Sequence, residues 1–203
     1  MITIYNFAGG ARGLRVAWQC EEMGLAYTPV SLTYPTPPDY RAKYPPGSVP
    51  FLEDEGGVGL GESVAIMLYL AERYGPTPLL PRAPAALAQV LQFTVFAESA
   101  IGGTMNALMA AKFGAPEADK TNWSVRMGEG SVAGGLAYVA AVLGDRPFLV
   151  GDDITLADIA VAPALGMWKA ALGGEIPGPL EAWRTRLGER PAYQRARAAF
   201  PRG

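Results

Sequence analysis

The chain has 203 residues, of which 50% are hydrophobic and 18% charged, and its formal net charge is -2. This composition predicts a globular protein rather than a disordered one, and so small a charge gives no reason to expect nucleic acid as a partner. The absence of histidine excludes Ser-His or Cys-His catalysis and histidine-containing metal sites, and the single cysteine excludes an internal disulfide.

The N-terminal residues MITIYNF have neither a basic segment nor a long apolar run, so we predict no signal peptide. No stretch reaches the roughly 20 apolar residues of a membrane span without interruption by charge, proline or glycine. We therefore expect a cytoplasmic protein with no membrane partner.

The first third of the chain alternates strands with a helix. Residues 2–7 are predicted to form a buried strand, residues 12–23 a helix that ends at Gly24, and residues 27–33 a second strand. Pro29 within this second strand favours the edge of a sheet. A strand, a helix and a strand within about 33 residues predict a parallel pair. Residues 34–46 contain five prolines and are predicted to be a loop with at most one helical turn.

The most informative stretch is residues 47–75, which predicts a hairpin followed by an apolar helix. Pro50 opens the first strand of this hairpin, and an outward-facing Val49 there offers its N–H and C=O to an extended peptide. Glu62 and Ser63 stand at the helix start, where N–H groups can hold a carboxylate while Glu62 holds an ammonium. Together these features predict a receptor for the zwitterionic head of a short peptide.

The rest of the chain predicts helices only. The prolines in residues 76–84, which follow Gly75, indicate a linker between a domain of residues 1–75 and an all-helical domain of residues 85–203. Thr155 and Asp158 have the spacing of a helix-opening capping box, which we interpret as structural. The predicted helices cover residues 85–113, with an interruption near Gly102-Gly103, and residues 118–143, 155–171, 179–187 and 191–200.

This order of motifs resembles that of the soluble, bacterial-like glutathione S-transferases, and the resemblance covers essentially the whole chain. It is carried by Val49-Pro50, by Glu62-Ser63 and by residues 151–159. It implies an α/β plus all-α fold, with a thioredoxin-like N-terminal domain followed by a helical bundle, and it implies a homodimer. It also implies that Ser63 holds the γ-glutamyl carboxylate of glutathione, that Glu62 holds its ammonium, and that Val49 pairs with its cysteinyl backbone.

Two positions depart from the family pattern. Many relatives have a lysine or arginine where this chain has Ser48, and that charge helps to hold the glycyl carboxylate of glutathione. A serine makes a weaker neutral hydrogen bond, so Lys43 or Arg12 is a candidate for the missing charge. Ala11 stands where a common bacterial pattern has a serine that faces the thiol, and alanine has no hydroxyl.

The residue that activates the thiol is therefore open between two candidates. Tyr5 on the first strand is one, although a core tyrosine explains it equally well, and Asn6 is a further polar residue on the other face of that strand. The helix N-terminus at Ala11 together with the Arg12 guanidinium is the other, because positive charge favours a thiolate. Cys20 lies roughly 14 Å further along the helix, so we interpret it as a buried thiol.

The resemblance predicts an enzyme that uses glutathione as co-substrate, needs no metal, and adds the thiolate to a small hydrophobic electrophile. A catalytically silent binding or scaffold protein is the alternative, which Ala11 and Ser48 favour and Glu62-Ser63 disfavour. A glutathione-dependent peroxidase, dehalogenase or isomerase also stays open. Residues expected to line the electrophile pocket are Phe93, Phe96, Met105, Met109, Phe113 and Trp168.

Overall fold

A computed structural model describes residues 1–201, and Arg202 and Gly203 lie outside the described residues. The chain divides into two compact units. The first contains Met1–Thr77 together with the chain from Gly188 onward, and the second contains Pro78–Leu187.

The first unit is built on a four-stranded sheet in the order β2-β1-β3-β4. Strand β1 is parallel to β2 and antiparallel to β3, and β4 is antiparallel to β3. This is the predicted thioredoxin-like arrangement, with β2 at the sheet edge as Pro29 indicated. Its elements are β1 (Ile2–Phe7), α1 (Gly13–Met23), β2 (Tyr27–Leu32), α2 (Pro38–Lys43), β3 (Phe51–Asp54), β4 (Val58–Gly61) and α3 (Ser63–Arg73).

The alternation of side chains along β1 separates the two faces of the sheet. Ile4 and Asn6 are buried, and Asn6 accepts a hydrogen bond from the N–H of Gly13 at the start of α1. Tyr5 points the other way and packs on Tyr40 of α2, with ring centroids 5.6 Å apart. Helices α1 and α3 contact each other, so they share the face of Asn6, whereas α2 covers the face of Tyr5.

The second unit is entirely helical within the described residues, as predicted. Its core is formed by apolar side chains that include Val90, Ile101, Met105, Leu136, Leu156, Leu165 and Trp183. Its elements are α4 (Pro84–Phe96), a π-helical turn (Ala97–Gly102), α5 (Gly103–Gly114), a 3₁₀ turn (Glu117–Asp119), α6 (Trp123–Leu143), α7 (Leu156–Met167), a second π-helical turn (Trp168–Leu172) and α8 (Gly178–Gly188).

Helix α6 differs from the predicted helix at its start. It begins at Trp123 rather than near residue 118, because the side chain of Asn122 accepts a hydrogen bond from the Val125 N–H at 3.1 Å and caps the helix there. Four interior glycines do not break the helix. The π-helical turn before Gly103 accounts for the predicted interruption.

The last helix, α9 (Pro191–Ala199), belongs to the compact first unit, although it follows the helices of the second unit in the chain. Two ion pairs hold it on α1: Arg190 lies 2.7 Å from Glu22, and Arg195 lies 2.6 Å from Glu21. Sequence periodicity identifies a helix but not the neighbour it packs against, so this placement could not be predicted.

One helical run among the described residues, Pro84–Gly114, has the length and apolar composition of a membrane span. Its side chains Phe93, Ile101 and Met105 are buried in the core of the second unit. Since a core helix of a soluble protein has the same length and composition, this one run is only weak evidence for a membrane segment.

Candidate functional site

Helix α3 begins at a strained backbone position. Glu62 has φ 65° and ψ 111° and is the one residue other than glycine with positive φ in the described chain. Such a conformation costs of order 1–3 kcal/mol and is typical of functional sites. Glu62 is exposed, whereas Ser63, the first residue of α3, is 2% exposed. The turn therefore presents the helix N-terminus together with one acidic and one hydroxyl side chain.

Gly61 makes this turn possible. A Cβ atom at this position would lie 2.2 Å from the hydroxyl oxygen of Tyr44, so only glycine allows that ring to lie against β4. The Tyr44 ring also stacks on Phe51 of β3, with ring centroids 4.8 Å apart. The aromatic pair thus supports the chain immediately before Glu62.

Arg15 is a residue of this site that the sequence reasoning missed. It is 1% exposed in α1, and its guanidinium donates a hydrogen bond to the Ser63 hydroxyl oxygen at 3.3 Å. Buried arginines are rare unless they are paired. The signal was an arginine on the apolar side of α1, between Leu14 and Val16, which no helix pattern requires.

The loop before β3 brings Val49 beside the sheet. The Val49-Pro50 peptide bond is cis, Pro50 is buried and Val49 is half-buried. No hydrogen bond joins the Val49 backbone to another residue within 1–201. The preceding carbonyl, that of Ser48, accepts from the Tyr40 hydroxyl at 2.5 Å, which anchors the loop, while the Ser48 side chain is exposed.

Helix α1 begins beside Asn6. Its Oδ1 accepts from the Gly13 N–H at 3.3 Å, and a Cβ atom at Gly13 would lie 2.3 Å from the Asn6 Cγ. The other side-chain atom, Nδ2, is buried with no partner among the described residues. Ala11 and Arg12 are half-buried in the turn that opens the helix, and its first turn contains no acid. This end of α1 therefore has a positive potential.

The structure disagrees with a thiol-activating role for Tyr5. Its hydroxyl donates to Glu53 at 2.5 Å and accepts from Lys43 at 2.8 Å. Burial, followed by the hydrogen bond to Glu53, raises the pKa of Tyr5. The side chain lies on the α2 face of the sheet, whereas Ser63 contacts α1. Tyr5 is thus held protonated and away from the Glu62-Ser63 turn.

Lys43, one of the two candidates for the charge that holds the glycyl carboxylate, is already paired with residues of its own chain. Its Nζ lies 2.9 Å from the Glu53 carboxylate, and hydrogen bonds to Tyr5 and Glu53 raise the pKa of Lys43. Arg12 remains a candidate for that role.

The interpretation of Cys20 as a buried thiol is confirmed. The residue is fully buried in α1, and burial raises the pKa of Cys20 to about 12. It is therefore protonated and unreactive at neutral pH. The described residues contain no group of three or more potential metal ligands.

The six residues expected to line an electrophile pocket differ in how far they are buried. Phe93, Met105 and Trp168 are buried core residues, whereas Phe113 is 68% exposed. Phe96 and Met109 are half-buried. Apolar residues at helical spacing belong to core and surface alike, so this expectation was too broad.

Comparison with known proteins identifies the family. The N-terminal domain of glutathione S-transferases matches residues 4–78, and the C-terminal domain of the same family matches residues 124–202. A crystal structure of the theta class glutathione S-transferase from Xanthomonas axonopodis pv. citri, with glutathione bound, is 32% identical. It superposes with a TM-score of 0.79, and the match covers 96% of each chain.

Two further relatives match part of their length. A glutathione S-transferase-like protein of Fusarium is 35% identical over 133 residues, which are 64% of this chain and 59% of that protein. Elongation factor 1-gamma of Sus scrofa is 33% identical over 131 residues, which are 64% of this chain and 29% of that protein. The domain matches, the full-length structural similarity and the sheet order agree: the chain belongs to the glutathione S-transferase family.

Proposed function

We propose that this protein is a glutathione transferase, which binds glutathione on its first unit and adds the thiolate to a small hydrophobic electrophile. The observation that carries this proposal is the strained Glu62, which presents the buried Ser63 and the N-terminus of α3 at one point. A strained residue with no role in packing suggests a binding function. The glutathione bound in the Xanthomonas relative supports the same conclusion.

The γ-glutamyl end of glutathione would bind at the start of α3. Its carboxylate would accept hydrogen bonds from the Ser63 N–H and hydroxyl, with the helix dipole adding attraction. Its ammonium would pair with the exposed Glu62 carboxylate. The Ser63 hydroxyl already accepts from Arg15, which directs its own proton outward toward a ligand.

The cysteinyl and glycyl parts would run along Val49. Its backbone N–H and C=O can pair with the cysteinyl backbone as an added strand does. The cis Val49-Pro50 bond and the anchored Ser48 carbonyl keep this loop beside the sheet. The Ser48 hydroxyl would donate a neutral hydrogen bond to the glycyl carboxylate. Arg12 is the candidate for the positive charge that holds the same group.

The thiol would lie at the N-terminus of α1. Since Ala11 has no hydroxyl and the Tyr5 hydroxyl donates to Glu53, we assign activation to Arg12 and to the partial positive charge of the helix end. Lowering a thiol pKa by two units requires about 2.7 kcal/mol, which one or two charge-assisted hydrogen bonds can supply.

An ultraviolet difference titration of glutathione against pH, with and without saturating protein, tests this proposal. We expect the bound thiolate to appear at a pH about one to two units below that of the solution thiol. Arg12→Gln should remove most of this shift, measured at a protein concentration that saturates the glutathione with each variant. Binding with an unshifted thiol, or no binding at all, would contradict the enzyme assignment.

A catalytically silent glutathione-binding protein is the second candidate. Ala11 and Tyr5 favour it, because Ala11 has no hydroxyl group and the Tyr5 hydroxyl donates to Glu53 instead. The likeness to elongation factor 1-gamma also favours it, since that protein is named for a different function. Binding without a shifted thiol in the titration is its expected result. A homodimer and a cytoplasmic location stay predictions.

A further inference from the structure

A pocket of about 440 Å³ lies in the first unit, between the turn that joins β1 to α1 and the last helix. The turn contributes Gly9 and Gly10, and α1 contributes Leu14. The opposite wall comes from α9 and the chain that follows it, with Gln194, Arg197 and Phe200 among its residues. A pocket of this volume holds a small organic molecule.

The two walls are fixed to each other. Helix α9 runs antiparallel to α1, because Arg190 at its start pairs with Glu22 near the end of α1. Beyond its last residue, the Phe200 carbonyl accepts a hydrogen bond from the Gly9 N–H at 3.0 Å. The last turn of α9, which carries Arg197, is therefore held against the N-terminus of α1.

The pocket combines apolar walls with positive charge. Leu14 and Phe200 are buried and apolar, whereas Arg197 is exposed at the rim. Within residues 1–201, the Arg197 side chain makes no hydrogen bond and no acidic residue lines the pocket. The N-terminus of α1 adds a partial positive charge from the opposite wall. These features suit a small apolar molecule that carries an anionic group.

We propose that the electrophile of this enzyme is an acid, a small aryl or alkyl compound whose carboxylate is bound by Arg197. The inference rests on the proposed function. The pocket residues Gly10 and Leu14 flank Ala11 and Arg12 in the chain, so a molecule in the pocket would lie near the turn to which we assign the thiol. Arg197 is then a specificity-determining residue, and the pocket is where the apolar body of the electrophile binds.

A pair of matched aryl chlorides tests this, namely 4-chloro-3-nitrobenzoate and its methyl ester. In both reactions the thiolate sulfur forms a bond to the ring carbon, the carbon–chlorine bond breaks, and chloride leaves with the bonding electrons. The thiol proton passes to solvent, and nothing is oxidised or reduced. Each kcat/KM is divided by the uncatalysed rate with glutathione, which removes the difference in intrinsic reactivity between acid and ester.

We expect the normalised ratio of acid to ester to exceed one for the unmodified protein and to fall about tenfold in Arg197→Gln, through a larger loss of kcat/KM for the acid than for the ester. Arg195→Gln is the matched control, because this exposed arginine lies two residues earlier on the same helix and pairs with Glu21 outside the pocket. It should leave the ratio unchanged. Added salt should lower the ratio in the unmodified protein and in Arg195→Gln, but not in Arg197→Gln.

An unchanged ratio in Arg197→Gln, or an equal loss in Arg195→Gln, overturns the proposal, since the preference would then be absent or a general effect of surface charge. If neither chloride reacts, the proposed function fails, and the pocket is tested alone by calorimetry with 3-nitrobenzoate in the presence of glutathione. Binding that Arg197→Gln weakens about tenfold supports the carboxylate site. Absence of binding overturns it.

Discussion

At the scale of single residues, Glu62 shows how binding and stability compete in this fold. Its positive φ strains any residue with a Cβ atom, and its exposed carboxylate contributes nothing to the core. The proposed function explains this strain, because it requires Ser63 to start α3 with its N–H groups facing glutathione. A conformation that serves only folding would place glycine here.

Two substitutions at this position separate strain from binding. Glu62→Gly and Glu62→Ala both remove the carboxylate, so both should weaken glutathione binding equally. Only Gly relieves the backbone, so Glu62→Gly should be more stable than Glu62→Ala by about 1 kcal/mol. Urea unfolding measures the free energies and calorimetry the affinities. An alanine variant as stable as the glycine variant would show that the turn is not strained.

Ser63 is predicted to carry the γ-glutamyl carboxylate. Ser63→Ala removes a hydrogen bond to a charged group, which is worth about 1.5–3 kcal/mol, so the Kd for glutathione should rise at least tenfold. Calorimetry provides the measurement. Ser131→Ala, on the exposed face of α6, is the control and should bind as the unmodified protein does. An unchanged Kd in Ser63→Ala would remove Ser63 from the site.

We expect Cys20 not to react with thiol reagents in the folded protein. Its pKa of about 12 and its full burial predict no reaction with a disulfide reagent at pH 8, followed by release of one equivalent of chromophore after unfolding in guanidinium. This result would also assign any thiolate absorbance in the titration to glutathione. Rapid reaction of the native protein would contradict the burial of this residue.

At the scale of elements, the start of α7 is held by one carboxylate. Asp158 is fully buried and accepts hydrogen bonds from the Leu149 N–H at 2.9 Å, from the Thr155 N–H at 2.8 Å and from the Thr155 hydroxyl at 2.9 Å. The capping box predicted from sequence is confirmed, and it also ties the preceding loop to the helix. The contact with Leu149 could not be predicted, because no pattern relates these two positions.

Removing this carboxylate should cost more than a simple cap. Asp158→Ala leaves three buried donors without an acceptor, so we expect the free energy of unfolding to fall by about 3 kcal/mol or more. Asp153→Ala, an exposed acid shortly before the same helix, should change it by less than about 0.5 kcal/mol. Denaturant unfolding at pH 7.5 compares the two. Similar values for both variants would mean that the network does not stabilise the helix.

The elements of the first unit were predicted well because their signals are local. Pro29 placed β2 at the edge, and Pro50 placed the start of the hairpin. The candidate residues for the thiol and for the glycyl carboxylate were predicted less well. Two of them, Tyr5 and Lys43, form a cluster with Glu53 through contacts between different elements. Local patterns determine where helices and strands begin, whereas such contacts depend on the packed structure.

At the scale of the whole molecule, the helical unit has an apolar surface with no partner in the described chain. Four exposed residues follow one another on α6 at spacings of four, three and four residues, namely Met127, Ser131, Gly134 and Tyr138. Such spacing forms one straight stripe, with small residues at its centre. Tyr138 also accepts from Gln92 of α4 at 3.0 Å, which extends the surface to that helix.

The neighbouring run Pro84–Gly114 is also poorly covered, since only 33% of its most apolar part is buried within the chain. We therefore predict that a second copy covers the surface formed by these helices. An arginine at Gly134 meets no atom of its own chain, because no atom lies within 4 Å of a Cβ there. Gly134→Arg should therefore fold but separate the homodimer into monomers, as measured by size-exclusion chromatography with light scattering.

The control is Ala133→Arg, exposed on the same helix about 100° away, which should remain dimeric. A dimer that tolerates Gly134→Arg would place the subunit interface elsewhere, and a monomeric unmodified protein at micromolar concentration would exclude the dimer altogether.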